Sequence, residues 1–315
     1  MFISFDIGGT TIKYGVINRM GKIIMKSSME TKDDKSVFIT TIKDVIDELS
    51  SSYPIEGIGL AVPGIIRKDG YLVTAGAIKS LYGTNLKEEL LTYTQLPMTI
   101  ENDANAAAIA EKWLGSAQNF SDYVCVVLGT GVGGSVDINN QIYAGAHGMA
   151  GEFGWTMINE LPVVGDLEQV TLNKKSAVVN GLCANYNRLK QQRDHKISSI
   201  FDAQEIFRLE QLGDVVAKEV LGEFFTNLAV GLINIMSSFD PEAILIGGGI
   251  SANKDFFNRL LMTVKEVKSR HKSINYLANE IDIPILSAKL KNDAGMIGAA
   301  YQIKTVVDLE RKLSK

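Results

Sequence analysis

The sequence predicts an α/β protein of two similar halves, each opening with a three-stranded meander and continuing into strands that alternate with helices. Three observations carry that prediction. Glycine-rich turns at Asp6-Ile-Gly-Gly-Thr-Thr and Leu128-Gly-Thr-Gly-Val-Gly-Gly each lie between two short apolar strands. The order strand, glycine turn, strand, turn, strand occurs twice. Elsewhere, short apolar runs alternate with segments of helical periodicity.

Taken in chain order, Phe2–Phe5 and Ile12–Ile17 flank the first turn, and Asn18–Gly21 turns the chain into a third strand, Lys22–Ser28. A helix from about Asp34 to Ser50 follows, with Val37, Ile42, Val45, Ile46 and Leu49 on one face. Ile55–Ala61 is an apolar strand that Pro63-Gly64 ends. After a short helix near Leu86–Thr92, strand Met98–Glu101 runs into Asn102-Asp103-Ala104-Asn105 and an alanine-rich helix to Leu114. The pattern restarts with Tyr123–Leu128, Ser135–Ile138 and Gln141–Tyr143, with Asn139-Asn140 in the second turn, a faint internal duplication. Helical stretches Asn173–Lys190, Ala203–Glu210 and Asp214–Phe239 come next. Ala243–Ile246 is a buried strand closed by Gly247-Gly248-Gly249, before a helix from about Asn253. Ile283–Leu286 is the last strand, and a helix from Asp293 nearly reaches the C-terminus. The expected domains are residues 1–112 with about 300–315, and residues 113–299.

A chain of 315 residues with 46% hydrophobic content fills two cores of ordinary size. The net charge of −4 gives no general attraction to nucleic acid or to an anionic membrane. No run approaches the length of a membrane span, and the N-terminus lacks the regions of a signal peptide, so the expected location is the cytoplasm. Cys125 and Cys183 have no metal-type neighbours and read as reduced, buried, small apolar residues.

Glycine brings bare backbone N–H groups close to a ligand, and a concavity of amides suits phosphate. Two such loops, Gly8, Gly9, Thr10 and Thr11 in one and Gly129, Thr130, Gly131 and Gly133 in the other, suit the two sides of a polyphosphate. Either loop alone is equally a conformational hairpin. Asp6, at a strand end before the first loop, suits a Mg²⁺ ion held through water. Lys13 either offers charge to phosphate or points to solvent. Gly247, Gly248 and Gly249 let an adenine or ribose lie against the backbone, or simply make a tight strand-to-helix connection. Asp103 is the candidate general base for phosphoryl transfer to an alcohol. Its position at a helix start also suits an N-cap, but Glu101, Asn102 and Asn105 crowd that turn with more polar groups than a cap requires. Glu152, in the glycine frame Gly145–Trp155, suits vicinal sugar hydroxyls, and Trp155 suits an apolar ring face; His147 reads as a loop histidine.

Together these segments, with Ala61–Gly64, Ile246–Gly249 and Asn292–Ala299, resemble the ROK family of sugar kinases, within the actin-like, ribonuclease-H-like ATPase fold. The resemblance implies two such domains with a cleft between them, and ATP-dependent phosphorylation of a hexose, usually at the 6-hydroxyl. It implies Asp103 as base, Asn102 and Glu152 as sugar ligands, and a homodimer. Most members carry a histidine where Trp155 stands, followed by a cysteine-rich zinc loop. Thr156–Thr171 contains neither cysteine nor histidine, so no zinc is expected. Segment Thr74–Ile78, which includes Gly76 and Ala77, the Glu152-Phe153-Gly154-aromatic run and Asn292–Gly295 resemble the zinc-lacking branch that acts on β-glucosides. The expected substrate is the non-reducing glucose of a β-glucoside such as cellobiose. N-acetylmannosamine and free glucose are the alternatives. A sugar-sensing regulator of the same family would need a helix-turn-helix domain ahead of Met1's strand, and a non-catalytic assembly ATPase leaves the Asn102-Asp103 and Gly145–Gly154 clusters unexplained.

Overall fold

The computed structural model describes residues 1–193, 198–278 and 280–314; residues 194–197, 279 and 315 of the expected spans lie outside that description. The first sheet opens with the meander β1 (Phe2–Ile7), β2 (Thr11–Ile17) and β3 (Ile23–Glu30). β1 is buried along nearly its whole length because both its faces are covered, whereas β3 alternates between half-buried and exposed residues along its length. Helix α1 (Lys35–Ser52) is capped by the Asp34 carboxylate, which accepts from the Val37 N–H. Its face of Phe38, Ile39, Ile42, Val45, Ile46 and Leu49 joins Ile3, Phe5 and Ile7 in the core.

β4 (Gly57–Val62) leads through the small hairpin β5 (Tyr71–Leu72) and β6 (Thr84–Asn85) to α2 (Leu86–Leu91), then β7 (Met98–Asn102) and α3 (Asp103–Leu114). The second sheet repeats the pattern with β8 (Tyr123–Leu128), β9 (Val132–Ile138) and β10 (Gln141–Ile142). Helices α4 (Leu172–Ser176), α5 (Ala184–Arg193), α6 (Ala203–Gln211) and α7 (Val215–Phe239) follow. The chain closes with β11 (Ala243–Gly247), α8 (Lys254–Arg270), α9 (Lys272–Leu277), β12 (Ile285–Ser287) and α10 (Ala294–Leu313).

The sheet orders are β3-β2-β1-β4-β7 and β10-β9-β8-β11-β12. Both place the meander's first strand centrally and add two strands beyond it. β1, β4 and β7 are mutually parallel, as are β8, β11 and β12. The duplication read in the sequence is therefore a duplication of topology.

By its contacts the chain divides into two units: Met1–Phe120 with Ser135–Ala150 and Asn292–Lys315, and Ser121–Gly134 with Gly151–Lys291. In the first, α10 lies against α3, β4 and β1. Small residues permit that approach: Ala61, Ala106 and Ala299 are fully buried together, and a side chain at Gly59 or Gly298 would strike the backbone of Ala299 or Ala106. In the second, Phe224, Phe225 and Phe256 form an aromatic cluster with centroids 5.4–6.3 Å apart. α7 is long and apolar enough to cross a membrane by length and composition, yet its apolar residues, from Val216 to Met236, are largely buried inside the unit.

One expected helix is interrupted. Residues 173–190 do not run continuously: Ala177 is extended, and the chain re-enters helical structure through a π-helical turn, Val178–Cys183. The reason is tertiary. The Val178 and Val179 N–H groups donate to the Gly129 carbonyl and Asn180 N–H to that of Thr130, so the glycine loop takes bonds that a straight helix would keep.

Candidate active site

Each unit carries some of the residues that the sequence singles out. In the first, strand register decides the arrangement. Asp6 pairs across to Ala61 and Ala61 to Glu101, so the C-terminal ends of β1, β4 and β7 lie side by side. Asp6, Pro63-Gly64 and Asn102-Asp103 therefore share one sheet edge, where open α/β sheets receive ligands.

The first glycine loop is held from both sides. Gly8 N–H donates to the Thr11 carbonyl at 3.0 Å, and the Thr31 hydroxyl donates to the Gly8 carbonyl at 2.7 Å. A Cβ on Gly9 would come within 2.9 Å of that of Ala77, so the 74–78 segment closes directly on the loop. Lys13 donates to the Asp6 carboxylate at 3.1 Å and to the Asn292 carbonyl at 3.1 Å, which ties it to the acid rather than leaving it in solvent. Gly295, in the first turn of α10, packs against the Asp6 carboxyl: a Cβ there would lie 2.7 Å away.

At β7's end, Asn102 is the cap of α3. Its Oδ1 accepts from the N–H groups of Ala104 and Asn105 at 2.9 and 3.1 Å, and its Nδ2 donates to the Gly64 carbonyl at 3.0 Å. Asp103 is the first helical residue, its Oδ1 accepting from the Ala104 N–H at 2.9 Å. The capping role that position 103 suggests in the sequence thus belongs chiefly to its neighbour. Behind them, Glu101 accepts from Asn102 N–H, Asn105 Nδ2 and Gln302 Nε2 at 2.9, 2.9 and 2.7 Å. This supporting network escapes sequence reading because Gln302 arrives from α10. Gly64 and Gly76 both have positive φ, +97° and +57°, and the Thr74 hydroxyl accepts from the Ile65 N–H at 3.0 Å, holding the 64 and 74–76 segments together.

In the second unit, β8 and β11 are parallel with Val127 opposite Gly247, so the Gly129–Gly131 and Gly247–Gly249 turns lie at one edge. Gly129 N–H donates to the Gly131 carbonyl at 2.9 Å, and Asn173 Oδ1 accepts from the Val132 N–H at 2.8 Å. Gly133 continues into β9. A cavity of about 580 Å³ opens over these turns. Leu128, Gly129, Thr130 and Gly249 floor it, Val178, Val179, Phe201 and Phe207 give apolar walls, and Asn253 and Lys254 stand at the start of α8. The open space around Gly129 and Gly249, where a Cβ would meet nothing within 4 Å, leaves bare backbone facing it. A flat apolar base over exposed amides fits this cavity. The valine and phenylalanine walls come from segments far from any glycine motif, so sequence spacing does not reveal them.

Glu152 and Trp155 lie on one short turn, in which Trp155 N–H donates to the Glu152 carbonyl at 3.1 Å. Burial pushes the Glu152 carboxyl above the ordinary range, while Trp155 as a residue is 53% exposed. Gly154 is wedged against the Val132 carbonyl and Asn173, which fixes this turn to the second glycine loop. Among the described residues, no three His, Cys, Asp or Glu side chains gather as a metal centre. Cys125 and Cys183 are buried and form no disulfide, and burial pushes the Cys183 thiol up to about 11.

Paired sheets of one topology, with a glycine loop after the first strand of each, define the actin-like ATPase class. Within it the chain belongs to the ROK family, whose sequence profile matches residues 2–306. It is 36% identical over 299 residues to the beta-glucoside kinase of Listeria monocytogenes, covering 95% of each chain. A ROK family protein from Streptococcus pneumoniae solved in complex with sucrose superposes with a TM-score of 0.82 at 27% identity, covering 99% of both chains. The ROK family glucokinase from Streptomyces griseus in complex with glucose and AMPPNP gives 0.75 at 26% identity, over 96% of this chain and 98% of that one.

Proposed function

We propose that this chain is an ATP-dependent sugar kinase that phosphorylates the 6-hydroxyl of the non-reducing glucose of a β-glucoside. The observation carrying this reading is the division of labour at the start of α3: Asn102 supplies the cap, so the Asp103 carboxylate is not needed for it. Asp103 is assigned as general base. It takes the hydroxyl proton as O6 bonds to the γ-phosphorus and the bond from phosphorus to the bridging oxygen of ADP breaks.

Asn102, Glu152, Gly64, Gly76, Ala77 and Trp155 are assigned to the sugar. The first glycine loop (Gly8, Gly9, Thr10, Thr11) with Lys13, the second (Gly129, Thr130, Gly131, Gly133) and Gly247–Gly249 are assigned to the nucleotide. The 580 Å³ cavity with its bare glycine floor supports that assignment. The AMPPNP-bound relative supports ATP as donor. Asp6 would hold Mg²⁺ through water, which neutralises charge on the transferring phosphoryl group. Two relatives support a substituted sugar, one named for β-glucosides and one holding a disaccharide. Dependence on ATP supports a cytoplasmic site of action, and the family resemblance supports a homodimer.

The test is ADP release with cellobiose, methyl β-glucoside, glucose and N-acetylmannosamine, for the native enzyme and for Asp103→Asn. The native enzyme should prefer the β-glucosides, and the variant should lose roughly 10²–10⁴ in kcat while still binding nucleotide. Strong preference for a free N-acetyl sugar overturns the substrate assignment, and near-native turnover in the variant overturns the base.

A further inference from the structure

His147 is singled out by its glycine frame yet has no part in the chemistry above. In the first unit it lines a cavity of about 290 Å³ together with Ile66, Arg67, Lys68, Asp69 and Gly148. The walls come from two segments far apart in sequence, the tip of the tight hairpin that pairs Ile66 with Leu72 and the loop after β10. Their approach is close: a Cβ at Gly148 would lie 2.6 Å from the Ile66 carbonyl, and φ is +79° there. The hairpin tip is a formed turn, with Arg67 N–H donating to Tyr71 and Gly70 N–H to Arg67, each at 2.9 Å.

The lining carries an acid, two bases and an imidazole but no Trp, Tyr or Phe. Such a mixture of donors and acceptors matches a ring of hydroxyls and offers little to an aryl group. Arg67 meets Asp69 at 3.3 Å in an exposed pair, which costs little to rearrange around a ligand. Gly64, assigned above to the sugar, lies two residues before Ile66, and although the chain bends at Gly64 (φ +97°), two residues hold the cavity within about 7 Å of it. That is the scale of one additional sugar ring.

We infer that this cavity is the subsite for the aglycone and that it is built for a second pyranose, which makes the preferred acceptor a disaccharide or longer glucoside rather than an aryl one. The inference rests on the β-glucoside reading above. His147 and Arg67 donate to hydroxyls of the second ring, and Asp69 accepts from them.

The experiment compares kcat/KM for cellobiose, phenyl β-glucoside and methyl β-glucoside in the native enzyme, His147→Ala and Arg67→Met. Native enzyme should favour cellobiose. Each variant should lose about tenfold or more on cellobiose and stay within about twofold on methyl β-glucoside, which also reports intact folding. Unchanged cellobiose kinetics, or an equal loss on all three acceptors, overturns the subsite. Native enzyme that phosphorylates none of the three overturns the β-glucoside reading itself, an outcome separate from the other two.

Discussion

The Lys13 ammonium lies 3.1 Å from the Asp6 carboxylate, directly across the β1–β2 ladder that pairs the two residues. It compensates a carboxylate assigned to the metal, at the mouth of a loop assigned to phosphate. Lys13→Met is expected to raise KM for MgATP roughly tenfold, with Lys13→Arg recovering part of the loss. Steady-state kinetics at varied MgATP decide this, and an unaltered KM leaves Lys13 as a structural partner of Asp6 and Asn292 alone.

Adjacent residues at the start of α3 should separate stability from chemistry. Asn102→Ala removes a helix cap and the bond to Gly64, and should cost about 1–2 kcal/mol in urea unfolding. Asp103→Asn should unfold near the native midpoint while turnover collapses. Equal destabilisation by both would return Asp103 to a capping role.

Two neighbouring glycines should also part company. Gly248 has φ +90°, and a Cβ there would collide with the Leu128 carbonyl, so Gly248→Ala should destabilise by about 2–4 kcal/mol. Gly249 has open space, so Gly249→Val should fold normally yet weaken ATP binding by occupying the cavity floor. Melting curves with and without nucleotide distinguish the two effects.

Glu56 joins Arg19, Arg311 and the Met1 amine in one ion-pair network, and Arg19 extends it to Asp308. Hydrogen bonds from Arg19 are the main cause that lowers Glu56 from 4.5 to about 2, and they lower Asp308 from 3.8 to about 2. A carboxylate depressed on folding stabilises the protein above its unfolded pKa, and that contribution disappears as pH falls through the folded value. Glu56→Gln should therefore lower the melting temperature at pH 7, by an amount equivalent to about 2 kcal/mol, and the gap should close between about pH 4.5 and pH 2. A gap independent of pH would remove the electrostatic explanation.

What was legible in the chain was local. The strand, turn, strand order of each meander, the one apolar face of α1, the glycine turns after β1 and β8, and the polar crowding at Glu101–Asn105 are each contained in one short stretch of chain. Those signals carried the duplicated topology and the family resemblance.

Tertiary structure alone decided the rest. Which residue caps α3 depended on Asn102 reaching the Gly64 carbonyl from a neighbouring strand end. The break at Ala177 followed from the Gly129 and Thr130 carbonyls drawing the N–H groups of Val178, Val179 and Asn180. The cavity uniting Arg67 with His147, and the valine and phenylalanine walls over Gly129, exist only once distant segments have docked. Periodicity and turn chemistry are written along the chain, whereas a hydrogen bond or cavity wall between remote residues is set by strand register and packing, which no local pattern encodes.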